Sequence, residues 1–241
     1  MKTLVSLLAL AAAIPAFADE PAPAADPLSF NVGVVSEYRY RGISQSRLRP
    51  ALQGGIDYAG ANGFYVGTWA STIKWVKDAG GDGDVEVDLY GGYRTEVAKG
   101  LTLDVGVLQY VYPSNKLNPS ANTFELYGAV SFGPVTAKYS HSTTNLFGYV
   151  DSRNSGYLDV TANFDIGDGF SLAPHVGHQT VRHLAAASYT DYSLTLAKDF
   201  SGLVLSGSLV GTDADKTTYA SPVNGKFMGK TALVVGLKKT F

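Results

Sequence analysis

The 241-residue chain contains no cysteine, and its charged residues amount to only 17%. Without cysteine, neither a disulfide framework nor a thiolate metal site can form. The formal net charge of −2 lacks the basic excess that nucleic-acid binding needs, so we expect no nucleic-acid partner. Beyond the N-terminal leader, no apolar run approaches the ~18 residues of a spanning helix. These absences exclude a disulfide scaffold, a nucleic-acid binder and a helical membrane protein.

The first residues have the features of a secretory signal peptide. A short positive start at residues 1–3 precedes an apolar run over 4–14, and Ala16-Phe17-Ala18 is a small-x-small cleavage site. We therefore predict a signal peptide over residues 1–18. Residues 19–27 are rich in proline and alanine and are expected to form a flexible periplasmic lead-in. The folded domain is then predicted to span residues 28–241.

Alternation of apolar and polar residues begins at Phe30 and is typical of strands, in which successive side chains point to opposite faces. Residues 30–41 and 47–58 share one parity, with a break at 42–46, and predict an antiparallel hairpin. Its apolar face comprises Phe30, Val32, Val34, Tyr38, Tyr40, Leu48, Leu52, Ile56 and Tyr58.

Alternating segments of this kind continue to the C-terminus, and short turns alternate strictly with longer loops. We predict strands over 30–41, 47–58, 64–76, 84–97, 101–112, 123–132, 135–143, 156–166, 170–180, 190–199, 203–211 and 228–241. Alternation of short turns and long loops is typical of a transmembrane β-barrel. The sequence therefore predicts an all-β fold, a single antiparallel up-and-down barrel of about twelve strands, with ten or fourteen left open.

The last strand fits a bacterial outer-membrane location. It ends on Phe241 and places alternate apolar residues on one face, which resembles the signal read by the barrel assembly machinery, although Lys239 departs from that pattern. We expect both termini in the periplasm, with outer-membrane lipid and lipopolysaccharide around the barrel. Outward aromatics near strand ends would form the two interfacial belts, with Tyr58, Phe64, Phe132, Phe170, Phe200 and Phe241 at the periplasmic rim and Tyr40, Phe124 and Tyr192 at the outer rim.

The opposite parity predicts a polar lumen. The expected hairpin aligns Arg41 with Arg47 and Arg39 with Arg49 near the outer mouth, and an acidic wall would lie two strands further on. Two interpretations remain open: charged walls that orient solutes in a pore, or a salt-bridged network that fills a narrow barrel. The predicted pore-lining residues are Glu37, Arg39, Arg41, Arg47, Arg49, Glu86, Asp88 and Arg94.

Catalytic and metal sites receive little support. His175 and His178 have opposite parity, and His183 falls in a loop, so no zinc site is predicted. The aspartates at 78, 82 and 84 fit no standard calcium loop and are interpreted as solvated. We expect no cofactor and no enzymatic activity.

The run Ser36–Gln45, with the sequence SEYRYRGISQ, resembles the opening motif of the TorF-like family of porins, proteobacterial barrels formerly grouped as conserved proteins of unknown function. The match continues through residues 63–69, 85–93, 110–113 and 124–127. The resemblance implies an outer-membrane barrel with pore activity. It implies no substrate and no catalytic residues.

The sequence thus predicts a porin-like channel through which small hydrophilic solutes diffuse, with an anion preference set by the arginines. One alternative is a barrel-embedded lipid hydrolase or acyltransferase, which needs a histidine and a serine at one membrane depth. Another is a closed structural barrel whose loops bind a ligand or partner.

Overall fold

The computed structural model describes residues 27–241, so the predicted signal peptide and most of the lead-in lie outside the described residues. The strands are β1 (Leu28–Val35), β2 (Arg39–Tyr40), β3 (Ile43–Ser44), β4 (Ala51–Ala59), β5 (Phe64–Thr72), β6 (Val85–Ala98), β7 (Leu101–Val111), β8 (Thr123–Phe132), β9 (Val135–Ser142), β10 (Gly156–Ala162), β11 (Phe164–Gly167), β12 (Phe170–Thr180), β13 (Tyr189–Asp199), β14 (Leu203–Thr212) and β15 (Ala232–Thr240). A short helix α1 spans Trp75–Asp78, and a 3₁₀ turn spans Ala185–Ala187.

Twelve antiparallel strands close into a barrel, as predicted. Neighbours in the chain pair with each other, and closure comes from β1 against β15, where Asn31 pairs with Thr240. The segments β10 and β11 are one strand interrupted at Asn163, because both pair with β12. Closure pairs the first barrel strand with the last and so removes the two open edges of a flat sheet, whose unpaired backbone groups hydrocarbon would not tolerate.

The two ends of the barrel differ. At one end, which we call the turn end, the connections are short and include residues 99–100, 133–134 and 168–169. Both ends of the barrel domain lie there, since Phe30 and Phe241 exchange backbone hydrogen bonds. At the opposite end, the loop end, the connections comprise residues 36–50, 73–84, 112–122, 143–155, 181–188 and 213–231.

The outer surface of the wall is apolar. On β1 the even residues Phe30, Val32 and Val34 are exposed, and on β15 Leu233 is 65% exposed. Such a continuous apolar surface on a folded chain fits a lipid bilayer rather than water. All six aromatic residues predicted for the periplasmic rim are exposed, led by Phe241 at 70%. No helix within residues 27–241 is long and apolar enough to cross a membrane.

The lumen wall uses glycine to make room for tyrosine rings. Tyr65 on β5 pairs directly with Gly92 on β6, and Gly106 on β7 pairs directly with Tyr127 on β8. A methyl group on either glycine would collide with the tyrosine ring beside it. The rings therefore lie flat across the neighbouring strand instead of standing in the lumen. This pairing accounts for part of the chain's high content of glycine and tyrosine.

Several predicted strands have different bounds in the structure, including the strand expected over 47–58, which begins only at Ala51, so Leu48 is not on the outer surface. The predicted strand 30–41 stops at Val35, so Tyr38 and Tyr40 are not on the outer surface, and the placement of Tyr40 in the outer belt was wrong. The strand expected over 64–76 ends at Thr72 because the chain turns into α1. The last strand begins at Ala232 rather than 228, since Met228 contacts the segment described next.

Candidate functional site

Residues 36–50, which we call the inserted segment, leave the wall and fold into the loop-end half of the lumen. Within it β2 and β3 form a small hairpin that pairs Arg39 with Ser44 and Tyr40 with Ile43. Its two turn residues, Arg41 and Gly42, have positive φ angles of 46° and 77°, which suits a two-residue hairpin turn. Gly42 has a second constraint, because a Cβ there would collide with Thr212 and Asp191.

This hairpin replaces the predicted one. The sequence analysis aligned Arg41 with Arg47 and Arg39 with Arg49 on a barrel wall, and that register was wrong. The alternating pattern does continue through residues 36–41, but residues 37–41 fold inside the barrel, where side chains of both parities are buried. Alternation identifies extended backbone and does not say which surface each face meets.

Arg41 anchors the tip of the inserted segment across the lumen. Its Nη2 donates to both carboxylate oxygens of Glu125 on β8, at 2.7 and 3.0 Å, and its Nη1 donates to Oε1 of Gln179 on β12 at 2.6 Å. The guanidinium also lies over the rings of Tyr40 and Tyr157, 4.7 and 4.2 Å from their centroids. One side chain therefore ties the segment to two well-separated strands through charge-assisted bonds.

Arg39 and Glu37 form a second buried contact within the segment. Nη2 of Arg39 donates to Oε1 of Glu37 at 2.8 Å, and its Nη1 donates to the carbonyl oxygens of Gly42 and Met228. The last bond joins the segment to the loop between β14 and β15. Nε of Arg39 and Oε2 of Glu37 are buried without a hydrogen-bond partner among residues 27–241, so this pair is incompletely satisfied.

Two tyrosines attach the segment to the opposite wall. The hydroxyl of Tyr38 donates to Glu86 on β6 at 2.6 Å, and the hydroxyls of Tyr40 and Tyr110 on β7 lie 2.7 Å apart. Asp88, two residues beyond Glu86 on the same strand, is also buried, and its Oδ1 has no partner. The predicted acidic wall is thus in direct contact with the inserted segment.

The other predicted pore-lining residues lie at the edges of this region. Arg47 forms an ion pair with Asp78 of α1, and Arg49 is exposed at the loop end. Arg94 lies in the turn-end half of the lumen, where its Nη2 donates to Asp104 at 2.8 Å. The eight residues therefore do not line one constriction, because they divide between the inserted segment, the β6 wall, the loop end and the turn-end lumen.

The turn-end half of the lumen is lined by polar and charged side chains. Asp104 accepts a hydrogen bond from Tyr65 as well as from Arg94, and Lys138 lies 3.9 Å from the ring centroid of Tyr127. Arg94 remains partly exposed, as do the inward tyrosines at 65 and 127. Glu86 and Glu125 in the other half are only 1% exposed. The inserted segment therefore fills the loop-end half, whereas side chains of the wall itself, among them Asp104 and Lys138, occupy the turn-end half.

A polar network around His175 lies on the remaining wall. Its Nε2 is 2.8 Å from Asp159 and its Nδ1 is 3.6 Å from Asp191, while the hydroxyl of Tyr157 donates to Asp191 at 2.9 Å. The other histidines contact Asn154, Thr190 and Asp151. Within residues 27–241 no group of three acidic, histidine or cysteine side chains is arranged to hold a metal ion.

Two exposed ion pairs lie at the loop end, one within the connection 73–84 and one between it and the loop 112–122. Nζ of Lys77 donates to Asp84, and Nζ of Lys116 donates to Asp82, each at 2.9 Å. These hydrogen bonds hold the pKa of both carboxyl groups below its usual value. The three aspartates considered for calcium thus each face a basic side chain, with Arg47 facing Asp78.

The family profile described as "Bacterial protein of unknown function (Gcw_chp)" matches residues 19–241. The chain belongs to this family. The TorF-like name inferred from the motif 36–45 stays a prediction. No curated protein matches the chain by sequence.

Solved structures similar to this Gcw_chp protein are outer-membrane channels. The KdgM porin has a TM-score of 0.59 at 8% identity and covers 88% of this chain and 99% of its own. The NanC porin has a TM-score of 0.57 at 12% identity, covering 89% and 98%. An outer membrane channel from Pseudomonas putida F1 has a TM-score of 0.53 at 15% identity, covering 90% and 96%. At such identities the likeness shows the fold, a closed porin-like transmembrane barrel.

The wall residues that receive the inserted segment were not predicted from the sequence. Glu125, Gln179 and Tyr110 all have inward parity near the loop end of their strands, a signal that was present in the sequence. They belong to three different strands that alternation cannot relate to residue 41. Only the closed barrel brings these side chains together around Arg41.

Proposed function

We propose that this Gcw_chp protein is an outer-membrane, porin-like channel for small hydrophilic solutes, in which the inserted segment narrows the pore. The turn end, where both ends of the barrel domain lie, faces the periplasm, and the loop end faces outward. The observation that carries the proposal is the contrast between an apolar exterior and a lumen lined with charged and hydroxyl groups. A barrel built only as a membrane anchor would not need ionisable groups along its interior.

The selectivity proposed here is weak. Arg39, Arg41 and Arg47 each contact a carboxylate, which offsets much of their field at the distance of a passing ion. Arg49 is exposed at the loop end and is the best placed of the four to attract anions. We therefore propose a slight anion preference. An Arg49→Ala variant should have a weaker anion preference, measured as a shift in reversal potential, and Lys226→Ala is the control. An unchanged reversal potential in Arg49→Ala would show that Arg49 does not set the preference.

A closed barrel with a binding function at its loop end is the second candidate. It is favoured by the burial around the inserted segment, where Tyr38 is 1% exposed and Tyr110 is 2% exposed. Passage would then need movement of the segment. The hydrolase alternative has no support, because within the described chain the four histidines contact asparagine, threonine, tyrosine and aspartate side chains rather than a serine.

Swelling of proteoliposomes tests the two candidates. Folded protein in liposomes should admit a small sugar such as arabinose and exclude a trisaccharide such as raffinose. Heat-unfolded protein in matched liposomes is the control. Absence of swelling with arabinose, from protein shown to be folded by its heat-dependent electrophoretic mobility, would contradict the channel and favour the closed barrel.

A further inference from the structure

A cavity of about 420 Å³ lies at the loop end above the inserted segment. Its lining comes from α1, from the loops 112–122, 143–155 and 213–231, and from the inserted segment itself. The volume is near the lower end of the ~300–1,000 Å³ typical of small-molecule sites. The cavity therefore suits a solute of one or two rings rather than a polymer held along its length.

Aromatic side chains form two groups around this cavity. In one group Trp75 packs edge-on against Tyr112, with 5.0 Å between ring centroids, and Phe147 packs against Tyr112 at 6.4 Å. In the other group Tyr189 packs edge-on against Tyr219 at 5.0 Å. Members of both groups line the cavity. Rings that hold each other edge-on are rigid, so they present fixed apolar surfaces at little entropic cost on binding.

The cavity carries almost no uncompensated charge. Among residues 27–241, the charged residues that line it are Arg47 and Asp78, and these two form an ion pair with each other. The remaining polar lining consists of amides and hydroxyls, including Gln45, Asn118 and Ser221. A charged solute would find no free counter-charge there. A pure hydrocarbon would displace the water that is hydrogen-bonded to these amides and hydroxyls and would offer no hydrogen bonds in its place, which is costly.

The chemistry of the lining therefore selects a solute with both apolar ring faces and hydroxyl groups. Sugars meet this description, since a pyranose ring presents C–H groups on its faces and hydroxyls around its edge. We propose that the loop-end cavity binds neutral mono- or disaccharides at the entrance of the channel. This inference names the solute class of the proposed function. It rests on that function, because sugar binding at the entrance serves transport only if the barrel is a channel.

Binding would involve the inserted segment directly. Tyr40, Ile43, Ser44 and Gln45 line the cavity, so a bound sugar would contact the same residues that fill the lumen below it. A solute seated there meets the segment before anything deeper in the barrel. The cavity thus places recognition of the solute next to the constriction that the solute has to pass.

Isothermal titration of maltose into the protein in lipid nanodiscs tests the site without requiring transport. We expect binding in the millimolar range, about tenfold weaker for Trp75→Ala and for Tyr149→Ala, since both side chains line the cavity. Tyr58→Ala, which removes an aromatic from the outer surface at the turn end, is the matched control and should bind as the wild type does. Each variant is first shown to be folded by its electrophoretic mobility.

Three results would overturn the proposal. The first is the absence of a heat of binding for maltose up to 100 mM, and the second is equal affinity of the cavity variants and the wild type for maltose. The third is tighter binding of digalacturonate, a charged disaccharide, than of maltose. Swelling and titration separate the two claims. Maltose binding without solute-driven swelling would reject the channel and keep the site, whereas swelling without binding would reject the site alone.

Discussion

Removal of Arg41 should release the inserted segment from the lumen. In the structure this side chain makes three hydrogen bonds to Glu125 and Gln179, and both members of the ion pair are buried. An Arg41→Ala variant leaves Glu125 as a buried carboxylate without its cation. Breaking a buried pair in this way costs about 3–5 kcal/mol. Such a cost would raise the population of the displaced segment by about 10²- to 4 × 10³-fold, at about 1.4 kcal/mol per factor of ten.

Hydrogen exchange followed by mass spectrometry measures this displacement. Amides within residues 38–46 should exchange faster in Arg41→Ala by that factor, because backbone bonds such as that from Gln45 to Tyr38 open with the segment. Amides of β13 and β14 should keep their wild-type protection. Lys216→Ala, an exposed change in the loop 213–231, is the control and should leave all rates unchanged.

The same reasoning predicts partial rescue by a second substitution. Glu125→Gln removes the stranded charge, so the double variant Arg41→Ala with Glu125→Gln should lose less protection than the sum of the two single variants. Equal exchange in Arg41→Ala and the wild type would refute the view that this pair holds the segment. Strict additivity in the cycle would refute direct coupling of the two side chains.

Three further predictions concern neighbouring contacts. Tyr38→Phe deletes the hydrogen bond to the buried Glu86 and should destabilise the inserted conformation by about 1–3 kcal/mol, read as faster exchange of residues 38–46, with unchanged exchange contradicting it. Gly42→Ala should speed the exchange of residues 38–46 more than Tyr38→Phe does. A left-handed backbone alone costs a non-glycine residue about 1–2 kcal/mol, and the methyl group would also collide with Asp191. Exchange at the wild-type rate in this variant would show that the turn can relax. Because the pKa of Asp84 is lowered, its ion pair with Lys77 is fully formed above the usual carboxyl pKa and is lost as the pH falls through the lowered value. This ion pair therefore should not make solute permeation change between pH 5 and pH 8. An Asp84→Asn variant should show the same pH profile of permeation as the wild type.

The wall of the barrel could be predicted from the sequence because its determinants are local. Alternation along a single strand decides which side chains meet lipid, and Leu233, Val235 and Leu237 illustrate this on β15. Strands such as β8 and β12 have the predicted bounds, since Gly133 and Gly169 mark the turns beside them. Both turns have positive φ at these glycines, which is a local requirement that the sequence shows directly.

The interior could be predicted only in part. Inward parity identified Glu86 and Asp88 as lumen residues, but the partner of Arg41 lies 84 positions further along the chain. Contacts of this kind form only because the barrel closes and because the chain turns into the lumen after Val35. Alternation persists through Tyr38 and Arg39 because β2 is also extended. The local pattern therefore correctly predicted extended backbone for this segment but wrongly placed it in the barrel wall.

Single-channel recording in planar bilayers tests the central claim, that the barrel is a pore narrowed by the inserted segment. The comparison is between the wild type and a variant in which residues 38–48 are replaced by a short glycine-serine linker, both shown to be folded. We predict a small conductance for the wild type and a several-fold larger one for the variant, because removal of the segment opens the loop-end half of the lumen. Equal conductance would contradict the role of the segment, and absence of channels in both proteins would contradict the pore itself.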